Sequence, residues 1–134
     1  MTLLDVDVRV SDYERAFAAL VAQRPGALMV AAHTLFVRDR ARIIALAARH
    51  RLPAIYEWRE QVEDGGLMTY STSLNWTNER VASFVDRILK GARPADLAVE
   101  RPNTFELVIN QCTARALGVR VPQSLLLRAD DVIQ

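Results

Sequence analysis

Residues 49 to 71, RHRLPAIYEWREQVEDGGLMTYS, do most to limit what this chain can fold into. A helical pattern gives way there to a short apolar run, then to a charged loop, then to a second apolar run. Leu52 to Trp58, opened by Pro53, is too short for a helix and apolar throughout its middle, which predicts a central parallel strand covered on both faces. Gly65-Gly66 supplies the permissive backbone for a sharp turn into a second strand, Leu67 to Tyr70. In open α/β sheets the crevice lies past the carboxyl ends of the strands, so Tyr56, Glu57, Trp58 and Arg59 fall at its mouth.

The flanking segments repeat the alternation. Leu3 to Val10 alternates apolar and charged residues and predicts an edge strand with one wet face. Ser11 with Glu14 reads as a capping box, followed by a helix whose inner face is Tyr13, Ala16, Phe17, Leu20 and Val21. Pro25-Gly26 ends it, and Ala27 to Ala32 predicts another buried strand. After His33-Thr34 the spacing of Val37, Ala41, Ile44 and Ala48 marks the inner face of a second helix, with Arg38, Arg42 and Arg49 outside. Ser73 or Asn75 caps a third helix with Val81, Phe84, Val85, Ile88 and Leu89 on one face and an Asp86/Lys90 pair one turn apart. Gly91 and Pro94 end it. Leu97 to Glu100 and Phe105 to Ile109 flank a Pro102-Asn103 turn, Asn110 caps a short helix closed by Gly118, and Pro122 to Ile133 reads as a final apolar wrap. The order implies a three-layer α/β/α domain with a mainly parallel sheet and a strand-rich tail.

A chain of 134 residues fits one domain. Seventeen basic against 16 acidic residues give a net charge of +1, so no strong field favours nucleic acid. Lys90 is the only lysine, and the lone Cys112 has no internal disulfide partner. No window is apolar enough to span a bilayer, and MTLLDVDVRV, with Asp5 and Asp7, lacks the basic and apolar regions of a secretory signal. Catalysis has little to stand on: there is no Walker A sequence, no GxSxG elbow and no HExxH, and no cofactor or metal site is expected. Glu57, Glu60 and Glu63 suit acid/base work by type, but a charged loop at a strand end gives the same pattern.

Together with KGARPADLAVERP (90 to 102), FELVINQCTARALG (105 to 118) and VPQSLLLRADDVI (121 to 133), the organising stretch resembles the carboxyl-terminal part of an ABC-transporter substrate-binding protein of the tryptophan- and tyrosine-uptake type, with a type I periplasmic-binding-protein fold. The resemblance implies an incomplete second lobe: residues 1 to 64 as its β/α units, 65 to 134 as a crossover segment and tail. It implies a small-molecule solute, an aromatic amino acid or related carboxylate, and an ABC permease as partner where the full-length context exists. The alternative is a stand-alone oligomeric module with a sensory role or none in transport. Location is extracytoplasmic by resemblance, and cytoplasmic if Met1 is the true start.

The resemblance also implies a central strand between Leu3–Val10 and Ala27–Ala32 that this chain does not encode, which predicts a homodimer, with or without an exchanged element. Where the family has an Asp flanked by prolines the chain reads Ala32-His33-Thr34; a small residue usually stands at Glu57 and a Gly-Pro pair at Ser71-Thr72. The expected ligand site is His33, Thr34, Tyr56, Trp58, Arg59, Tyr70 and Ser71. Arg59 pairs the solute's carboxylate there, and Trp58 or Tyr56 stacks, unless those rings are core. His33 is either a carboxylate donor or the neighbour of a helix cap.

Overall fold

In the computed structural model, residues 12–134 are described, so the expected Leu3–Val10 strand and the Ser11 half of the first cap lie outside the described residues. Asp12 caps α1 (Tyr13–Ala22) by accepting from the Arg15 amide. The helix buries Tyr13, Ala16 and Phe17, the three foremost residues of the expected face.

The apolar run after Pro25-Gly26 pairs over β1 (Leu28–Met29). Beyond it the chain forms two helices, α2 (Thr34–Arg38) and α3 (Arg40–Arg49), broken at Asp39. That carboxylate receives the Tyr13 hydroxyl at 2.8 Å and the Arg38 guanidinium at 2.7 Å, which pins the break against α1. The break also rotates the register. α3 buries Ile43, Ile44, Leu46 and Ala47, whereas the expected Ala41 and Ala48 are exposed. A single 3.6-residue period drawn through Val37 missed this because the helix restarts at Asp39.

β2 (Ala54–Tyr56) and β3 (Met68–Ser71) are the two strands of the organising stretch. The charged loop between them contains a short helix, α4 (Arg59–Glu63), which buries Gln61 and Val62 against the sheet. Gly66 is forced by packing: a Cβ there would stand 2.6 Å from the Gln61 carbonyl oxygen and 2.8 Å from the Tyr56 ring. The chain then leaves the sheet through α5 (Leu74–Leu89) and a 3-10 turn at Pro94–Asp96, and returns as β4 (Glu106–Asn110). Leu97 to Glu100 forms no strand. Asn110 caps α6 (Gln111–Leu117) and Gly118 ends it at φ 72°, as the sequence implied. The final apolar wrap resolves into α7 (Gln123–Leu126) and a fifth strand, β5 (Asp131–Ile133).

The strands lie in the order β1-β2-β3-β4-β5. β1, β2 and β3 are parallel, β4 is antiparallel to β3, and β5 is parallel to β4. This is the mainly parallel α/β sheet that the alternation of runs predicted. Its main core joins Tyr13 and Phe17 of α1, the α3 face, and Leu52, Ala54 and Tyr56 of β2. β4 is the most buried strand, with Leu107, Val108 and Ile109 at 7% exposure or less. α5 is the exception: none of its residues is buried, and Leu74, Val81, Val85, Ile88 and Leu89 all face outward.

Candidate functional site

Three parallel strands end on the same side of the sheet, and their carboxyl ends carry the groups that could meet a ligand. β1 runs out through Ala31 and Ala32 to His33, β2 through Glu57 to Trp58, and β3 through Ser71 and Thr72 to Ser73. Because β4 runs the other way, its amino end brings Glu106 to the same rim, opposite Ser71. β5 adds Asp131 there, since its amino end lies parallel to the middle of β4. Two concavities open on this rim. One, of about 500 Å³, includes Ala32, His33, Val37, Glu57, Trp58 and Leu74 in its lining; the other, of about 260 Å³, includes Trp58, Thr69, Ser71, Ser73 and Glu106. Trp58, Glu60 and Leu74 belong to both, so Trp58 forms the wall between them.

Local structure fixes each group. Trp58 occupies the N-cap position of α4, and its amide donates to the Gln61 side-chain oxygen at 3.0 Å, holding the turn out of β2. Gln61 is itself buried, so the turn rests on a packed residue. Thr69 donates to the Glu57 carbonyl at 3.0 Å, tying the ends of β2 and β3 together, and its hydroxyl lies 3.3 Å from that of Ser71. Ser73 caps α5, its hydroxyl oxygen accepting from the Trp76 amide. The rim is therefore built from short turns locked to the sheet, which suits a surface meant to keep its shape.

Not every residue expected from the sequence converges here. His33 and Thr34 line the larger concavity, Ser71 and Arg59 the smaller, and Trp58 both. His33 is also the N-cap of α2: its Nδ1 accepts from the Leu35 amide at 3.1 Å, so the helix-cap reading describes its bonding. Tyr56 is 3% exposed and belongs to the core under Gly66; burial pushes its phenol up to about 12. Its strand position was legible, but alternation turns the side chain inward. Tyr70 projects to the opposite sheet face from Thr69 and Ser71 and stacks on Phe105 with ring centroids 5.6 Å apart, outside both concavities.

Arg59 reaches the rim already engaged. It pairs with Glu63 one turn along α4 at 2.7 Å and with Asp131 of β5. Those two carboxylates, with the hydrogen bonds they accept, hold its guanidinium above its ordinary range. The free arginine expected at the mouth is thus a structural clamp between α4 and β5, a strand the sequence did not reveal. Glu57 is half-buried; burial raises its carboxyl above the usual range, and a hydrogen bond with Trp58 opposes that shift.

Glu106 and the stretch Thr72 to Asn75 also line the rim and were missed as site residues. Ser73 was visible only as a helix cap, and no local signal announces that an antiparallel return brings Glu106 beside Ser71. Among the described residues no group of three His, Cys, Asp or Glu side chains could hold a metal ion. No described helix is long and apolar enough to cross a membrane.

The model of the family described as ABC transporter substrate binding protein matches residues 3–133. No curated protein matches the chain. Among solved structures, a conserved domain protein from Vibrio cholerae is similar with a TM-score of 0.83 at 24% identity, covering 91% of this chain and 41% of the other. An ABC domain from Streptococcus pneumoniae, solved in complex with L-Trp, gives 0.81 at 24% identity over 89% of this chain and 41% of its own. The ligand-free, open form of a substrate-binding protein with adhesive properties from Clostridium difficile gives 0.61 at 18% identity, over 92% and 40%. The chain thus spans about two fifths of the structures it resembles.

Proposed function

The chain belongs to the ABC transporter substrate-binding protein family, and from that premise we propose that its sheet rim is one wall of a solute-binding cleft, delivering a small molecule to an ABC permease. The observation that carries this reading is the convergence of three strand ends on Trp58, which stands between two concavities on a rim fixed by side-chain hydrogen bonds. In doubly wound sheets this is where ligands collect, and an indole wall suits a planar or apolar body. An aromatic amino acid or related carboxylate is the solute class this favours, and the similar Streptococcus pneumoniae domain holds L-Trp. The family is a binding rather than a catalytic kind, and extracytoplasmic; both properties are proposed for this chain through it.

The test is calorimetric titration of tryptophan, tyrosine and simple aromatic carboxylates against the 134-residue chain and Trp58→Ala. Weak binding is expected, because one wall leaves half the ligand wet, and Trp58→Ala should weaken it by about tenfold or more. Binding that survives Trp58→Ala and Ser71→Ala unchanged would place the site elsewhere.

A second reading, a stand-alone oligomeric module, is favoured by α5. Its Val81, Val85, Ile88 and Leu89 form an apolar row along one helix, all of them exposed in the single chain. A second copy of the chain, seated on the Val81, Val85 and Ile88 face, is the occupant proposed. Light scattering at micromolar concentration should give a dimer mass that Val81→Glu with Val85→Glu halves; a monomer mass for the unaltered chain would count against it.

A further inference from the structure

The charges around Trp58 do not balance. Both arginines of the rim are already engaged: Arg40 with Asp64 and the Val37 carbonyl, Arg59 with Glu63 and Asp131. Three carboxylates of the same lining, Glu57, Glu60 and Glu106, form no ion pair among the described residues. Glu57 stands out, because it follows β2 into a concavity whose apolar side is Ala32, Val37, Trp58 and Leu74, and because Glu60, the other carboxylate of that lining, is exposed while Glu57 is half-buried. Burial there disfavours its charged form, and a hydrogen bond with Trp58 offsets only part of that cost. A carboxylate drawn partly out of water with no counter-ion is costly until a cation arrives.

A metal ion is not that cation on these residues, since no three ligating side chains among the described residues stand close enough to hold one. An organic ammonium asks for less. Its three N–H donors can point at separate oxygens, and its charge is attracted by the face of an indole.

We propose that the cleft selects solutes carrying a primary ammonium group, which Glu57 takes while Trp58 walls the adjoining apolar body. This rests on the reading of the rim as the solute site and narrows it. An aromatic amine fits, and an aromatic amino acid fits through its α-ammonium; a bare aromatic carboxylate does not. The expectation that Arg59 receives the solute's carboxylate is replaced, because Glu63 and Asp131 already occupy that guanidinium.

The experiment titrates tryptamine, tryptophan and indole-3-propionate into the 134-residue chain at neutral pH, three probes that share the ring and differ in charge. Tryptamine should bind roughly tenfold or more tightly than indole-3-propionate, with tryptophan between them. Glu57→Gln should erase most of that ratio, and Glu106→Gln, measured separately, should reduce it less. Equal affinity for all three, tighter binding of the propionate, or a ratio unmoved by Glu57→Gln in a folded variant would overturn the ammonium assignment while leaving the cleft as a solute site. Failure of all three to bind would overturn the assignment and the solute-site reading together.

Discussion

Helices α3 and α5 are both amphipathic by sequence, yet they have opposite fates. α3 presents Ile43, Ile44, Leu46 and Ala47 to α1 and β2 and buries all four. α5, six residues longer at 16, presents Val81, Val85 and Ile88 to nothing in the described chain. Its Ser73 cap, its Asp86–Lys90 pair at 2.9 Å and an Arg80–Glu100 bridge at 2.7 Å hold it locally, but exposed ion pairs each contribute less than about 1 kcal/mol. An apolar periodicity states that a helix has a face to cover. It does not state what covers it.

That contrast can be tested by weakening each side. On the sheet side the largest effects are expected at Gly66 and Ile109. Gly66→Ala drives a methyl into a backbone oxygen and a buried ring, neither of which can yield cheaply, and Ile109→Ala empties a site that is 1% exposed. Ile109→Ala should cost about 2 to 5 kcal/mol in chemical denaturation. Val85→Ala on α5 should cost less than about 0.5 kcal/mol in the monomer, because nothing packs on it and alanine favours helix. Equal losses at the two positions would mean that α5 is covered within the chain itself.

A smaller difference should separate the two caps. Asn110 accepts from the Thr113 amide at 3.0 Å, and its side-chain nitrogen donates to the Val62 carbonyl at 3.2 Å, all within a buried turn. Asn110→Ala orphans the Thr113 amide in α6 and removes one of the two donors to the Val62 carbonyl, which keeps the Gly65 amide, and should cost on the order of 2 kcal/mol. Ser73→Ala removes one long bond at the start of a helix with no buried residue and should cost about 0.5 to 1 kcal/mol. Thermal melts of the two variants would show it, and the reverse order would place α5 inside the cooperative core.

Legibility in the sequence divides along the same line. Signals carried by neighbouring residues were legible: the strands Ala54–Tyr56 and Met68–Ser71, the Asn110 and Ser73 caps, and the Gly118 stop. Signals made by distant residues were not. The break at Asp39 depends on Tyr13, 26 positions away, and β5 exists because β4 offers it an edge. At the rim, strand ends could be located but side-chain direction and charge pairing could not. Tyr56 and Tyr70 looked alike in sequence; one fills the core and the other lies on the far face. Arg59 looked free until Asp131 reached it from 72 residues further along.

The solute site itself is best located by backbone amide shifts in nuclear magnetic resonance as tryptophan is added to the isotope-labelled chain. Shifts clustered at His33, Glu57, Trp58 and Ser71, with the Trp58 indole N–H among the largest, are the expected result. Shifts gathered instead on Tyr70, Phe105 and the Val81 to Leu89 face of α5 would contradict it, assigning ligand binding to the surface that was expected to hold a protein partner.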